Sequence, residues 1–363
     1  MKDTVCYGII GCGMMGQEHI RNIHLLDNAR IAAVFEPDPQ MREEAKALAP
    51  QALYPGSIND LLQLPDVNAL LIVTPNYMHV DQIELIAATR PLPLLVEKPL
   101  YTSTDHAARI TALQSSYPAP IWVAMEYRYM PPIARFLDDV DEATGGIRML
   151  TIREHRFPFL PKVHDWNRFN RKTGGTLVEK CCHFFDLMRL AIQSEPVRVM
   201  ASAGQALNHL DETYGGEVPD IWDNGYVIVD FANGARAMLE LCMFADGSRY
   251  QEEISAVGET GKIEAMVPGP ARFWPAHLGA PPFPQVIVSP RAPKGPEMRE
   301  IKVDPKILDA GDHNGSTFYQ HLGFQKTVLC GRAPEVTLSD GAAAVAIGLA
   351  AQESASTGKA VDL

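Results

Sequence analysis

Short apolar runs alternate with helix-like segments over the first 125 residues. Each run is apolar on both sides of the chain, as in a strand whose two faces are both covered. The segments between the runs repeat apolar residues at helical spacing. This alternation is typical of a doubly wound parallel sheet. The predicted strands occupy residues 5–10, 31–35, 69–73, 94–96 and 121–125.

The pattern changes after Glu126, where strand-like segments follow one another with few helices between them. Asn233-Gly234 separates two of these segments as a hairpin turn. We therefore predict an α/β protein with a doubly wound domain over residues 1–126 and an α+β domain, built on a mostly antiparallel open sheet, over residues 127–363. The second domain has predicted strands at 148–154, 198–203, 226–231, 235–241, 252–257 and 262–266, and helices at 176–191, 316–329 and 339–352.

A glycine-rich turn, Gly11-Cys12-Gly13-Met14-Met15-Gly16, joins the first strand to the first helix. At this spacing Gly11 makes a tight turn, Gly13 lets the backbone approach a pyrophosphate, and Gly16 allows close packing of helix on strand. Any tight turn can use glycine, so the motif by itself is a weak signal. Glu36 ends the second strand, where an acid typically binds the adenosine ribose. The whole series predicts a dinucleotide-binding Rossmann domain.

Composition and charge exclude several classes of function. The chain has 363 residues and a net charge of −12, so it offers no basic surface for nucleic acid or an anionic membrane. No apolar run is long enough to span a bilayer, and the glycine-rich turn begins too early for a signal peptide, so we expect a cytoplasmic protein. The six cysteines are irregularly spaced, which predicts neither disulfides nor a metal site.

Two further strands of the first domain end in polar segments. Thr74-Pro75-Asn76 and Glu97-Lys98-Pro99 should converge with the glycine-rich turn, because ligands of open α/β sheets bind at the carboxyl ends of the strands. Lys98 follows a buried strand and precedes a proline, which favours a fixed position for its ammonium group. The alternative is an ordinary surface lysine after a strand.

A second polar group lies on the helix predicted over residues 176–191. Glu179, His183 and Asp186 share one face of this helix, with Lys180 at its margin. An acid, a base and a cation on one face suit proton transfer. A lone histidine is more often structural, so the residues alone leave that alternative open.

At these motifs the chain resembles the family of glucose-fructose oxidoreductase, inositol dehydrogenase and the rhizopine-catabolism oxidoreductases. The resemblance covers nearly the whole chain and rests above all on Glu97-Lys98-Pro99 and the glycine pair before His183. It implies a dehydrogenase that uses NAD or NADP to oxidise or reduce a secondary hydroxyl of a sugar or cyclic polyol. It also implies that Lys98 and His183 are catalytic, with Glu179 assisting, and that His79 lies in the cofactor site.

The chain departs from the family pattern at one place. Many members have Asp four residues before the histidine, whereas this chain has Glu179 followed by Lys180. The change predicts a different substrate from that of most members, and we expect Lys180 and Asp186 to bind it. Two further segments resemble those that line the pocket in the family, and they add Arg128, Trp166 and Arg168 as substrate-binding candidates.

Two other functions remain open on this evidence. Some relatives oxidise a glycoside transiently, eliminate its aglycone and return the hydride, which would give NAD-assisted glycoside cleavage. Another relative is a regulator without turnover, but Lys98 and His183 together argue against a purely binding role.

The cofactor and the assembly are predicted from the same residues. NAD is preferred over NADP, because Glu36 would repel a 2′-phosphate and only Arg42 lies near enough in sequence to offset it. A sheet with one face uncovered by helices predicts a homodimer or homotetramer.

Overall fold

The computed structural model describes residues 3–363 and contains the predicted parallel sheet. Its five strands lie in the order β2-β1-β3-β4-β5, with all neighbours parallel. The carboxyl ends of β1, β3 and β4 therefore meet at one edge, as the sequence predicts. The elements are β1 (Val5–Ile10), α1 (Met14–Ile23), β2 (Ala29–Phe35), α2 (Pro39–Leu48), α3 (Ile58–Leu62), β3 (Ala69–Ile72), α4 (His79–Thr89), β4 (Leu94–Val96), α5 (Ala107–Ser116) and β5 (Ile121–Val123).

The rest of the chain builds a nine-stranded sheet in the order β13-β12-β11-β10-β6-β9-β8-β7-β14. Every pairing in it is antiparallel except that of β6 with β9. The elements are α6 (Pro131–Thr144), β6 (Ile147–His155), α7 (Asn170–Thr173), α8 (Thr176–Glu179), α9 (Cys182–Ile192), β7 (Pro196–Gly204), β8 (Asn224–Phe231), β9 (Arg236–Cys242), β10 (Glu252–Gly258), β11 (Gly261–Val267), β12 (Gln285–Pro290), β13 (Glu297–Glu300), α10 (Pro305–Leu308), α11 (Ser316–Cys330), α12 (Leu338–Thr357) and β14 (Val361–Asp362).

Only one face of this sheet is covered by helices. The helices α6, α9 and α12 pack against β11, β6 and β7 of this sheet. Along β8, Val227 and Val229 are buried, whereas Tyr226 and Ile228 on the other face are 56% and 39% exposed. The sheet is therefore open on one side, as predicted. None of the helices within residues 3–363 is long and apolar enough to cross a membrane.

The single helix predicted over residues 176–191 is wrong. The chain instead forms α8, a turn at Lys180 and Cys181, and then α9. In a continuous helix the carbonyl of Glu179 would accept the amide N–H of His183. Here that carbonyl accepts a hydrogen bond from the Lys98 ammonium, which ends the first helix at Glu179.

The C-terminal helices return to the parallel sheet. A Cβ atom at Gly323 of α11 would lie 2.6 Å from the ring of Trp122 in β5, so glycine is needed for this close packing. The N–H of Val123 donates to the carbonyl of Val336, just before α12.

The sequence did not predict α6, which begins at Pro131, although proline fits the first turn of a helix. The division at residue 126 stays a prediction.

Candidate active site

The glycine-rich turn has the shape that a dinucleotide pyrophosphate needs. Gly11 has a φ of 89° and its Cβ would lie 2.8 Å from the carbonyl oxygen of Val73, so only glycine fits there. A Cβ at Gly16 would lie 2.9 Å from the carbonyl of Gly11. A Cβ at Gly13 would meet no atom within 4 Å, so this position borders open space at the start of α1. That space suits a pyrophosphate on the helix N-terminus.

Glu36 closes the turn from the end of β2. Its Oε2 accepts the N–H of Cys12 at 2.5 Å and its Oε1 accepts the N–H of Asp38 at 2.8 Å. Arg42 donates from Nε to the Glu36 carbonyl at 2.8 Å. Burial and the nearby Glu36 raise the pKa of the Cys12 thiol to about 12, which makes it unreactive.

His79 ties together the two loops that follow β3 and β4. Its Nδ1 lies 2.9 Å from the carbonyl of Pro99 and its Nε2 lies 3.0 Å from the carbonyl of Thr74. The imidazole is completely buried, and burial lowers its pKa. Both ring nitrogens face the main chain, so the residue positions the two loops, and its predicted place in the cofactor site stays a prediction. The Nδ2 of buried Asn76 has no partner among residues 3–363 and remains available to a ligand.

Glu97 is held by a chain of buried side chains that the sequence did not reveal. Its Oε1 lies 3.0 Å from His19 Nε2, and His19 Nδ1 lies 2.8 Å from His321 Nε2. His321 Nδ1 in turn lies 3.2 Å from the hydroxyl of Tyr7. Burial lowers the pKa of His321 far below its usual range, so its ring is neutral. This series of hydrogen-bonded side chains links the loop that carries Lys98 to α11.

Lys98 meets the second domain at the end of α8. Its Nζ donates to the main-chain oxygen of Glu179 at 3.1 Å. The Glu179 side chain is buried, and its Oε2 has no partner among residues 3–363. Burial raises the pKa of this carboxyl group, with Lys98 and Lys162 opposing the shift. An uncommitted carboxyl with a raised pKa suits proton transfer.

His183 lies on α9 in a buried and positively charged environment. Its ring stacks on Tyr127, with centroids 4.0 Å apart and planes 6° apart. Burial, followed by the charges of Lys98 and Lys180, lowers the pKa of His183 far below its usual range. Its Nδ1 has no hydrogen-bond partner in the described part of the chain. The imidazole is therefore neutral, and its Nδ1 is not occupied by another described residue.

Comparison with known proteins shows the family to which the chain belongs. Residues 5–125 match the profile "Oxidoreductase family, NAD-binding Rossmann fold", and residues 142–363 match "Oxidoreductase family, C-terminal alpha/beta domain" of the same Gfo/Idh/MocA family. The chain belongs to the Gfo/Idh/MocA oxidoreductase family.

Its similar proteins include dehydrogenases of this family. Inositol 2-dehydrogenase from Corynebacterium glutamicum (strain R) is 30% identical over 76% of this chain and 77% of its own. Rhizopine catabolism protein MocA from Rhizobium meliloti is 25% identical over 74% and 78%. The structure of a levoglucosan dehydrogenase in complex with NADH and levoglucosan has the same fold, with a TM-score of 0.81, 20% identity and 99% of each chain covered.

In this Gfo/Idh/MocA protein, Lys180 lies between α8 and α9 and is buried in a polar cluster. Its Nζ is 2.5 Å from the hydroxyl of Tyr127 and 2.8 Å from Glu154. Burial lowers the pKa of Lys180. Glu252 lies opposite Glu154 in the sheet, and burial together with that neighbouring carboxylate raises the pKa of Glu252 to about 7. Glu154 and Glu252 escaped prediction because their strand patterns are ordinary, and Tyr127 because it lies in a short helical turn after β5.

Several predicted substrate-binding residues of this family member form internal pairs. Arg128 binds both oxygens of buried Asp186, each at 2.5 Å, where β5 leads into the second domain. Arg168 is buried against Glu212 at 3.1 Å. The predicted contacts of these three residues with substrate stay predictions.

Trp166 lies on the side of the site nearest the cofactor loops. Its ring is 6.5 Å from that of Tyr77, which follows Asn76, and the ammonium of Lys162 lies 5.8 Å from its centre. Its predicted contact with substrate stays a prediction.

One group of side chains has the spacing of a metal site. Ligand atoms of Glu18, Glu126 and His313 lie within 4.8 Å of one another. Glu18 accepts a hydrogen bond from His313 at 2.8 Å, and the hydroxyl of Thr317 lies within hydrogen-bond distance of both carboxyl groups. These oxygens already have hydrogen-bond donors, so the arrangement is that of an ion pair. The expected absence of a metal stays a prediction.

Proposed function

We propose that this protein is an NAD-dependent dehydrogenase that oxidises a secondary hydroxyl of a sugar, glycoside or cyclic polyol. The observation that carries the proposal is the hydrogen bond from the Lys98 ammonium to the main-chain oxygen of Glu179, which brings Lys98 to the turn that precedes His183. A neutral imidazole accepts a proton, and an ammonium group stabilises negative charge on the same substrate oxygen. The names of the inositol and levoglucosan dehydrogenases support the substrate class.

Each residue then has one role in the reaction. Bound next to Gly13 and Asn76, NAD would supply the hydride acceptor for the carbinol carbon. His183 takes the hydroxyl proton, and Lys98 donates a hydrogen bond to the developing alkoxide. The buried carboxyl of Glu179, whose pKa is raised, relays or exchanges that proton. Gly13 and Asn76 offer the open space and the free amide donor that the cofactor would use.

A second function, NAD-assisted glycoside cleavage, has one observation in its favour. Lys180, Glu154 and Glu252 supply buried titratable groups beyond those that a single proton transfer needs. Elimination and readdition would require a further acid and base. A regulatory role without turnover is less consistent with a site that keeps both Lys98 and His183.

A panel of substrates tests the proposal and separates it from cleavage. The purified protein would be given NAD with myo-inositol, D-glucose, levoglucosan and a series of nitrophenyl glycosides, while NADH and nitrophenol are followed together. NADH formation that is lost in His183→Gln and kept in His164→Gln, which changes an exposed histidine, supports the dehydrogenase. Nitrophenol release without net NADH would favour cleavage, and no reaction with any compound would contradict both.

We also propose that the open face of the nine-stranded sheet forms the contact of a homodimer or homotetramer. Apolar side chains stand on this face among polar ones, and a face of this kind is commonly buried between subunits. The apolar side chains that are most exposed there are Met149, Tyr226, Ile228, Val257 and Met298.

A further inference from the structure

His313 is a charged histidine at the edge of the proposed active site. It lies in the loop between α10 and α11, and its Nδ1 is 2.8 Å from Glu18 of α1. The same nitrogen lies 3.7 Å from Glu126. The hydroxyl oxygen of Thr317 lies 3.0 Å from Glu18 and 2.6 Å from Glu126, between the two carboxyl groups. The ring is therefore fixed on the side that faces α1.

The two carboxylates keep this histidine protonated. Against the effect of burial, Glu126 and Glu18 raise the pKa of His313 to about 9. The same contact lowers the pKa of Glu18 to about 2 against the opposing effect of burial. A protonated imidazole carries a hydrogen on both ring nitrogens. Since Nδ1–H donates to Glu18, Nε2–H remains as a second donor.

That second donor is free to meet a ligand. Within residues 3–363 no side chain or carbonyl accepts a hydrogen bond from Nε2, and 24% of the side chain is exposed. A charged donor that is partly withdrawn from water gains more from an acceptor than an exposed one does. An oxygen-rich ligand would satisfy it.

The position of the ring connects it with the proposed reaction. Its centre lies 6.3 Å from that of Tyr127, the ring on which His183 stacks. The charge of His313 is also one of those that lower the pKa of His183. His313 therefore borders the side chains that surround the proposed base.

We propose that His313 is a substrate-binding residue, and that its Nε2–H donates to a hydroxyl or ring oxygen of the sugar or polyol other than the hydroxyl that reacts. The inference rests on the proposed function and adds to it a charged donor that selects the orientation of the substrate. No covalent step is assigned to this residue.

The donor exists only while the ring is protonated. When neutral, the ring keeps its hydrogen on Nδ1, where Glu18 accepts it, and Nε2 becomes an acceptor. The charged and titratable groups that face the ring are Glu18 from α1, Glu126 and Tyr127 at the end of the first domain, Lys180 before α9, and Asp312, which pairs with Arg272. Substrate affinity should therefore fall as the pH rises through about 9.

Kinetics of three variants test the proposal with the substrate chosen from the panel. His313→Ala should raise KM about tenfold or more while kcat changes less than about threefold, the usual scale for loss of a charged hydrogen bond in binding. His313→Gln keeps an uncharged donor and should show a smaller rise in KM. It should also lose the increase of KM with pH. His277→Gln, at an exposed position, is the matched control and should behave as the wild type.

A binding measurement keeps the test independent of turnover. Histidine-labelled protein with NADH bound would be titrated with myo-inositol and with levoglucosan, and the His313 carbon signals followed by NMR. We expect an imidazolium signal at about pH 7 that shifts on addition of the polyol. Melting temperatures of the variants would show that each one folds.

The outcomes are distinct. A neutral His313 at about pH 7, an unchanged KM in both His313 variants, or a signal that moves with Zn²⁺ but not with polyol would overturn the inference. If wild-type turnover depends on His183 but not on His313, only this inference fails. If no compound reacts, the proposed function fails, and the NMR titration still decides whether His313 binds a polyol.

Discussion

The ammonium group of Lys98 donates a hydrogen bond to the main-chain oxygen of Glu179, 3.1 Å away. Lys98 follows β4 of the parallel sheet, whereas Glu179 ends α8 of the second domain. The contact interrupts the helix just before His183 and fixes the ammonium group at the turn between α8 and α9. It also leaves the Glu179 carboxyl free of a partner. One hydrogen bond between the domains thus shapes the whole candidate site.

The ion pair of Glu18 with His313 should make stability depend on pH in two directions. The pKa of Glu18 is lowered in the folded protein to about 2, so its contribution is present above about pH 4.5 and is lost as the pH falls toward 2. The pKa of His313 is raised to about 9, so its contribution is present below about pH 6.5 and is lost as the pH rises to 9. Thermal unfolding of the wild type and of Glu18→Gln checks this. Relative to the wild type, Glu18→Gln should lose stability mainly between about pH 4.5 and 6.5, where both contributions are present. An equal loss of stability at about pH 10 would contradict the pairing.

Lys180 should influence the choice of substrate more than the binding of cofactor. Lys180→Met removes a donor to Tyr127 but leaves Glu154 without its lysine partner, which is costly for a buried carboxylate. We therefore pair it with the double variant Lys180→Met, Glu154→Gln. Both should change the ranking of sugars and polyols while NAD affinity stays within about threefold. A ranking identical to that of the wild type in the stable double variant would show that Lys180 has a purely structural role.

Glu36 should make the protein prefer NAD to NADP. Its carboxylate stands at the turn where the adenosine ribose is expected, and it would repel a 2′-phosphate. Arg42 lies close by, but its Nε is bound to the Glu36 carbonyl. Glu36→Ala should lower NAD affinity and bring the two cofactors closer together, as measured by fluorescence titration with NADH and NADPH. Equal or tighter binding of NADPH to the wild type would refute the preference.

The open sheet face should hold the oligomer together. Ile228→Lys places a charge on this face, where burial of the charge in a subunit contact would be unfavourable. Sedimentation should show a smaller species for this variant than for the wild type. Val197→Lys introduces the same charge at another exposed apolar position and serves as the control. A wild-type protein that sediments as a monomer would contradict the proposal.

The sequence was sufficient for the parts of the fold that depend on local pattern. Both sheets follow from the apolar runs. The roles of Gly11 and Gly16 follow from spacing alone, because nearby main-chain atoms leave no room for a Cβ atom at either position. The convergence of Lys98 with the glycine-rich turn follows from the order of parallel strands.

Other features depend on contacts between residues far apart in the chain. The break before His183 could not be predicted, because the carbonyl that continues the helix is bound by Lys98 from the other domain. The pairing of Arg128 with Asp186 and the charge of His313 depend in the same way on partners distant in sequence. Helical periodicity placed Glu179 and His183 on one helix, whereas the structure puts them on two consecutive helices.

The most direct test of the account is a double-mutant cycle of Lys98→Met and His183→Gln, with kcat measured at saturating polyol and NAD. Each single variant should lower kcat about a hundredfold or more, with NAD affinity nearly intact, because each group acts on the same substrate oxygen. The double variant should be little slower than either single one, since groups that act on one proton transfer are not additive. Turnover in His183→Gln close to that of the wild type would contradict the assignment of His183 as the base.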